Sequence, residues 1–173
     1  MTSANSLDQL KARLRDVHHL RAAEALLSWD QEVYMPPKGA AARGAQIVAL
    51  SAQAHTLFTA PETGALFDSC LSEQDRCTPD DRALLQEAFY EYNRAVRIPE
   101  SLVREFAEAQ SAAYHAWLEA RKQDNFPLFL PHLEKLIALS KKQAACLNPE
   151  LPPYDALLEN YERGISVDEV DSI

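Results

Sequence analysis

The residues best suited to metal chemistry in this sequence are its five histidines, and their spacing offers at most a pair of ligands. His115 and Glu119 lie four positions apart, so on a helix they would share one face and could bind the same ion. His18 and His19 are adjacent, and adjacent side chains on a helix point about 100° apart. The sequence contains no His-Glu-x-x-His motif, which would place two zinc ligands and a general base together. We therefore predict no metal ligand in this chain and interpret His115 as a hydrogen-bonding residue.

Nucleophilic and acid–base arrangements give no stronger candidate. Neither Gly-x-Ser-x-Gly nor a glycine-rich phosphate loop occurs. Glu87 and Glu91 are one helical turn apart, but Arg94 is within reach of both, which favours a solvated ion-pair face. The three cysteines have no Cys-x-x-Cys spacing, which indicates free thiols. We predict no catalytic residue in this chain.

One segment is unusual, and it runs from Trp29 to Arg43. A Trp-Asp pair at the end of a helix is followed by Met35-Pro36-Pro37 and then by Gly39. We expect Trp29 to fill the gap between two antiparallel helices, with Asp30 accepting hydrogen bonds from the second helix's first amides or from Arg43. This interpretation makes Trp29 and Asp30 largely buried and structural. A role close to a substrate is the alternative.

The elements that position this corner are predicted to be helices throughout. Glycine is scarce, with four residues in 173, and helix-favouring residues are plentiful. Ser6 is a candidate helix cap, and Leu7, Leu10, Leu14 and Val17 follow it with the spacing of one buried helix face. The sequence therefore predicts an all-α helical bundle of six to eight helices, with a long N-terminal antiparallel hairpin about the two prolines.

Further boundaries follow from local signals. Pro61 is suited to the first turn of a short helix ending at Leu71, and Thr78 precedes a proline and two aspartates in a typical helix start. The periodic pattern places Val96 and Ile137 on inward faces. Ser166-Val167-Asp168-Glu169 predicts a further capped helix close to residue 173. Since no long linker interrupts the pattern, we predict one helical domain over 1–173, and truncation at its C-terminal end is one interpretation of the capping signal close to residue 173.

Charge and hydropathy limit the partners. The formal net charge is -9, so nucleic acid and anionic membranes are not expected to bind. No apolar stretch approaches the 18 residues or so of a membrane span. The first residues lack the basic and apolar regions of a secretory signal, and the cytoplasm is therefore the expected location.

The corner resembles the N-terminal region of the carboxypeptidase Taq-type zinc metallocarboxypeptidases. That family carries a Trp-Asp-Gln-Glu-x-x-Met-Pro-x-x-Gly pattern followed by an arginine. The matching residues here are Trp29, Asp30, Gln31, Glu32, Met35, Pro36, Gly39 and Arg43. The helix that follows carries Gln46, Leu50 and His55, and the stretch from Tyr154 to Ser166 is similar to the family's Tyr-Asp-x-Leu-Leu-x-x-Tyr-Glu-x-Gly. Val33 and Lys38 depart mildly from the pattern.

The resemblance implies an N-terminal helical part of an enzyme that uses zinc to remove C-terminal amino acids from peptides. The family's zinc motif has no counterpart here, so no cofactor is expected in this chain and it would be inactive alone. The expected partners are the catalytic remainder of a carboxypeptidase or a homodimer partner, with a peptide substrate only once the full enzyme is assembled. A stand-alone helical module that binds another protein is the alternative.

Overall fold

The computed structural model describes residues 3–173, with side chains from Ser6 onwards, and this part of the chain consists of helices and their connections. The eight α-helices are Ser3–Val33 (α1), Ala40–Thr59 (α2), Pro61–Leu71 (α3), Pro79–Ala95 (α4), Glu100–Lys122 (α5), Leu130–Leu147 (α6), Pro153–Leu158 (α7) and Val167–Asp171 (α8). Short 3-10 helices lie at Pro37–Gly39, Gln74–Arg76 and Phe126–Leu128. The all-α prediction, with six to eight helices, is confirmed. Within the described residues, none of the helices combines the length and apolar character needed to cross a membrane.

The chain divides into two compact units. The first ends at Ala107, and the second is Glu108–Ile173. The single domain over 1–173 stays a prediction.

In the first unit, α1 and α2 pack against each other in opposite directions. Arg43, at the start of α2, donates to the Leu27 carbonyl near the end of α1. Ser51 Oγ donates to Glu24 Oε1 at 2.7 Å, and further along, the Arg21 guanidinium lies 5.2 Å from the centre of the Phe58 ring. The residue number of the α2 partner rises along these contacts while that of the α1 partner falls, so the two helices are antiparallel.

The core of this unit is formed where the first halves of α1 and α4 meet α2 and α3. The side chains buried together there are Leu10, Val17, Phe58, Phe67, Cys70 and Leu85. The Phe67 ring is completely buried and lies 5.0 Å from the Tyr92 ring, centre to centre. A Cβ atom at Gly64 would come within 2.5 Å of Tyr92 Oη, so glycine at this position allows α3 to approach α4.

The N-terminus of α4 is capped as its sequence predicts and is tied to α1. Thr78 Oγ1 accepts a hydrogen bond from the Asp81 amide at 3.2 Å. Asp81 Oδ1 in turn lies 2.5 Å from Lys11 Nζ of α1. The hydrogen bond between these side chains lowers the pKa of Asp81 and raises that of Lys11. The pair therefore stays ionised across the neutral range and joins α1 to α4.

The second unit holds an apolar groove between α6 and α7. The groove has a volume of about 720 Å³ and is lined chiefly by Ile137, Tyr154, Leu157 and Tyr161. Ile137 is 47% exposed, so its predicted inward position is wrong. Ile137 lies on an apolar face of α6, but this face borders the groove and not the core. The predicted capping box is present, since Ser166 Oγ accepts from the Glu169 amide and Glu169 accepts from the Ser166 amide.

Two other sequence predictions in the first unit need correction. Ser6 does not begin α1, because the helix is already formed at Ser3. Its buried hydroxyl instead accepts a hydrogen bond from Ser69 Oγ at 3.1 Å. Val96 is exposed, because α4 ends at Ala95 and Val96 is already in the cap, where the inward periodicity no longer applies.

We expect Phe67→Ala to lower the free energy of unfolding by ~3–5 kcal/mol, because it removes a fully buried aromatic ring and leaves a cavity. Chemical denaturation followed by circular dichroism measures the loss. The control is Phe126→Ala, at an exposed ring, which should change stability by less than about 1 kcal/mol. Equal losses in the two variants would contradict the assignment of the core.

Candidate functional site at the corner between α1 and α2

The corner is held by one arginine with three acceptors. Arg43 Nη1 forms an ion pair with Asp30 Oδ2 and also donates to the Leu27 carbonyl at 3.2 Å. Arg43 Nε donates to Gln46 Oε1 at 3.1 Å, within α2. Of the two partners expected for Asp30, the structure therefore places Arg43 beside it. The guanidinium fixes the end of α1 against the start of α2 through charge and hydrogen bonds.

The turn after α1 is closed by its backbone. The amides of Tyr34 and Met35 both donate to the Asp30 carbonyl, at 3.0 and 2.9 Å, and the Gly39 amide donates to the Pro36 carbonyl at 2.8 Å. A Cβ atom at Gly39 would lie 3.3 Å from Met35 Cγ, a tight contact. Met35, Pro36 and Gly39 thus shape the turn that leads into α2.

Trp29 is not buried in this corner, and the prediction that it fills the gap between the helices is wrong. Its side chain is 51% exposed, whereas Asp30 is half-buried. The Trp29 ring meets the Tyr34 ring edge to face, with 5.4 Å between the centres. The physical reason is the helical rotation: since Asp30 faces Arg43, its neighbour Trp29 points about 100° away. Of the two other motif residues, Gln31 is half-buried and Glu32 is exposed.

His55, further along α2, has a structural partner that the sequence did not reveal. Its Nε2 donates to the Ile98 carbonyl at 2.8 Å, which ties α2 to the connection between α4 and α5. Burial lowers the pKa of His55, and Arg21 acts in the same direction, while the hydrogen bond to Ile98 and the charge of Glu100 oppose the shift. Neutral His55 is therefore favoured in the folded chain.

The described residues do not form a metal site. Within residues 3–173, no three His, Cys, Asp or Glu side chains come close enough to hold an ion. Glu119 accepts a hydrogen bond from Gln123, not from His115. The His115 ring packs against Tyr114, and its buried Nε2 has no hydrogen-bond partner, so the hydrogen bond expected for His115 is not found at this atom. The ligand set that a metallopeptidase needs is not offered by this part of the chain.

The three cysteines are free, in agreement with their spacing. Cys70 belongs to the core of the first unit, and burial raises the pKa of its thiol. A buried thiol of this kind is a poor nucleophile, since the thiolate is the reactive form.

The decisive comparison is with protein families. The family described as carboxypeptidase Taq (M32) metallopeptidase matches residues 9–173, which is nearly the whole chain. The chain belongs to the M32 carboxypeptidase Taq family. The corner built on Asp30 and Arg43 is accordingly a feature of an M32 carboxypeptidase segment.

Individual M32 relatives agree over nearly the whole chain. "Thermostable carboxypeptidase 1" of Pyrococcus furiosus is 32% identical over 97% of this chain and 34% of its own length. The protein of the same name from Thermus thermophilus is 35% identical over 98% of this chain and 36% of its own length. Carboxypeptidase 1 of Bacillus subtilis is 31% identical over 92% of this chain and 32% of its own length.

Solved structures give the same relation. The crystal structure of BsuCP matches 97% of this chain and 34% of its own chain, with a TM-score of 0.92 and 30% identity. An M32 carboxypeptidase from Deinococcus radiodurans R1 matches 98% of this chain and 34% of its own, with a TM-score of 0.77 and 30% identity. The chain thus spans about a third of the length of the M32 proteins that it matches.

We expect Arg43→Ala to lower the free energy of unfolding by about 1–3 kcal/mol, because a half-buried carboxylate and a carbonyl lose a charged donor. Arg76→Ala is the matched control, since Arg76 pairs with Glu73 on the open surface and its loss should cost less than about 1 kcal/mol. Urea denaturation of both variants measures the difference. Indistinguishable stabilities would contradict the role given to Arg43.

We expect the free energy of unfolding to fall as the pH drops below 6.5, the ordinary pKa of histidine, because the pKa of His55 is lower in the folded chain. The sign follows because the unfolded chain takes up the proton at higher pH than the folded chain does. His55→Gln keeps a donor for the Ile98 carbonyl but should reduce this pH dependence. Urea denaturation at pH 7.5 and 5 measures it, with His19→Gln, at an exposed histidine, as the control. An unchanged pH dependence in His55→Gln would count against the prediction.

Proposed function

We propose that this chain acts as the N-terminal part of a zinc-dependent metallocarboxypeptidase, which removes C-terminal amino acids from peptides. The observation that carries the proposal is the match to the carboxypeptidase Taq (M32) metallopeptidase family over residues 9–173. Relatives named carboxypeptidase match nearly all of this chain while being about three times as long. The remaining two thirds of such an enzyme would supply the catalytic residues.

The chain's own contribution is a helical framework. Arg43 and Asp30 hold the α1–α2 corner, His55 joins α2 to the connection before α5, and Lys11 and Asp81 join α1 to α4. A bound zinc ion would polarise the peptide carbonyl and activate water in the assembled enzyme. Since the described residues offer no set of three ligands, the ion would be held elsewhere, and this chain alone would be inactive.

The surroundings of the assembled protein follow from the same proposal. Its partners would be the catalytic remainder, a second subunit in a homodimer, and a peptide substrate. The net charge of -9 argues against nucleic acid and anionic membranes as partners. The cytoplasm remains the location that we propose.

The test is a fusion of residues 1–173 to the part of Bacillus subtilis carboxypeptidase 1 that follows its matching third. We expect the fusion to release the C-terminal amino acid from a blocked dipeptide in the presence of zinc or cobalt. The unfused 173-residue chain should release none, because its described residues offer no group of three ligands for a zinc hydrolase site.

The Bacillus remainder expressed without this chain is the control, and its activity should be far below that of the fusion. A folded fusion without activity would contradict the proposed function. So would stoichiometric metal binding, after dialysis, together with turnover by the unfused chain. Metal binding without turnover would favour the stand-alone binding module.

A further inference from the structure

The second half of α1 carries an exposed row of apolar side chains. Ala22, Leu26, Trp29 and Val33 are spaced by four, three and four residues, which places them on one helix face. Leu26 is 62% exposed, Trp29 51% and Val33 53%, and Tyr34, 72% exposed, packs its ring against Trp29. We call these five residues the α1 stripe.

The α1 stripe lies on the side of α1 that faces away from α2. The side that faces α2 is marked by Glu24, which bonds Ser51, and by the Leu27 carbonyl, which bonds Arg43. At about 100° per residue, the α1 stripe is centred roughly opposite that side. Packing within the first unit therefore does not account for the apolar character of these positions.

The geometry of the α1 stripe suits a second helix. Alternating steps of four and three residues produce the straight apolar seam along which two helices pack. The seam is flanked by Ala23 and Ala25, both exposed and small enough for a close approach. The ion pair between Asp30 and Arg43 holds this end of α1 in place, so the seam is largely preorganised.

The length of the relatives indicates what covers the α1 stripe. The M32 proteins that match 97% of this chain extend to about three times its length, and this chain corresponds to 34% of them. Contiguous exposed apolar surface of this kind is typical of an interface. A second copy of this chain is the alternative occupant.

We propose that the α1 stripe is the surface on which an apolar helix from the remaining two thirds of the carboxypeptidase packs. The inference rests on the proposed function and adds to it the side chains through which this segment joins the rest of the enzyme. Trp29 is then the central contact, and its place in the motif beside Asp30 has a physical reason. Asp30 anchors the helix inward while Trp29 presents the ring outward.

The test compares the same substitutions in two settings, the 173-residue chain and its fusion to the Bacillus subtilis remainder. Leu26→Ser and Trp29→Ser should shift the melting temperature of the 173-residue chain by no more than about 2 °C, because both side chains are exposed there. In the fusion, each should lower the melting temperature of the unfolding transition by about 3–5 °C, because the same side chains would be buried. Leu84→Ser is the matched control, at a leucine of the same unit that is 42% exposed and lies outside the α1 stripe. It should lower the melting temperature by the same small amount in both settings, because its surroundings lie within this chain.

Each other outcome overturns the inference in a recognisable way. If the fusion is active and its melting temperature does not change with substitutions in the α1 stripe, the packing proposal is wrong and the proposed function stands. Equal losses in both settings would place the stripe in this chain's own core. Light scattering that finds a dimer of the 173-residue chain, broken by Trp29→Ser, would assign the stripe to a second copy. If the unsubstituted fusion folds but is inactive, the proposed function itself is wrong.

Discussion

The α1–α2 hairpin depends on the position of one guanidinium group. None of residues 18–33 of α1 is fully buried, whereas Leu10 and Val17 are, so α1 contributes less buried apolar surface near the corner than in its first half. There Arg43 binds the Asp30 carboxylate and the Leu27 carbonyl, and Ser51 binds Glu24. Directional polar contacts fix the rotation of a helix about its axis, whereas apolar packing tolerates small rotations. Once Asp30 faces Arg43, the orientation of every other side chain on this part of α1 is determined.

This constraint explains why α1 changes character along its length. In its first half, Leu10 and Val17 belong to the core that includes Phe67 and Leu85. In its second half, the side facing α2 combines the polar contact of Glu24 with the half-buried Leu20 and Leu27, and the exposed apolar residues point away from α2. A long helix that contributes an apolar face to a core at one end and an opposite apolar face at the other is suited to connecting two packed bodies. The family relation, in which this chain is about a third of longer proteins, agrees with such a connecting role.

The helices could be predicted from local signals, because each signal acts within a few residues. Pro61 and Leu71 bound α3 as expected, and Thr78 caps α4 through its own side chain. Burial was harder to predict, since periodicity reveals that a face is apolar without revealing what covers it. For this reason the predicted burial of two residues is wrong: Ile137 lines a groove and Trp29 lies on the surface. At the corner, Arg43 is one of the two partners that the sequence offers for Asp30, and the structure selects it. The bond from His55 to the Ile98 carbonyl has no sequence signal, because any residue can supply a carbonyl.

The pattern Trp-Asp in this chain therefore combines two opposite demands on adjacent residues. A half-buried aspartate needs a charged partner, because burial of an unpaired carboxylate is costly, and Arg43 meets that need inside the hairpin. An exposed tryptophan has an apolar ring in contact with water, and half of the Trp29 side chain stays exposed although Tyr34 packs against it. Asp30 therefore has its charged partner within this chain, whereas the Trp29 ring remains largely uncovered. Since adjacent helix positions differ by about 100°, a single Trp-Asp pair can contribute to the internal hairpin and to an external interface at once.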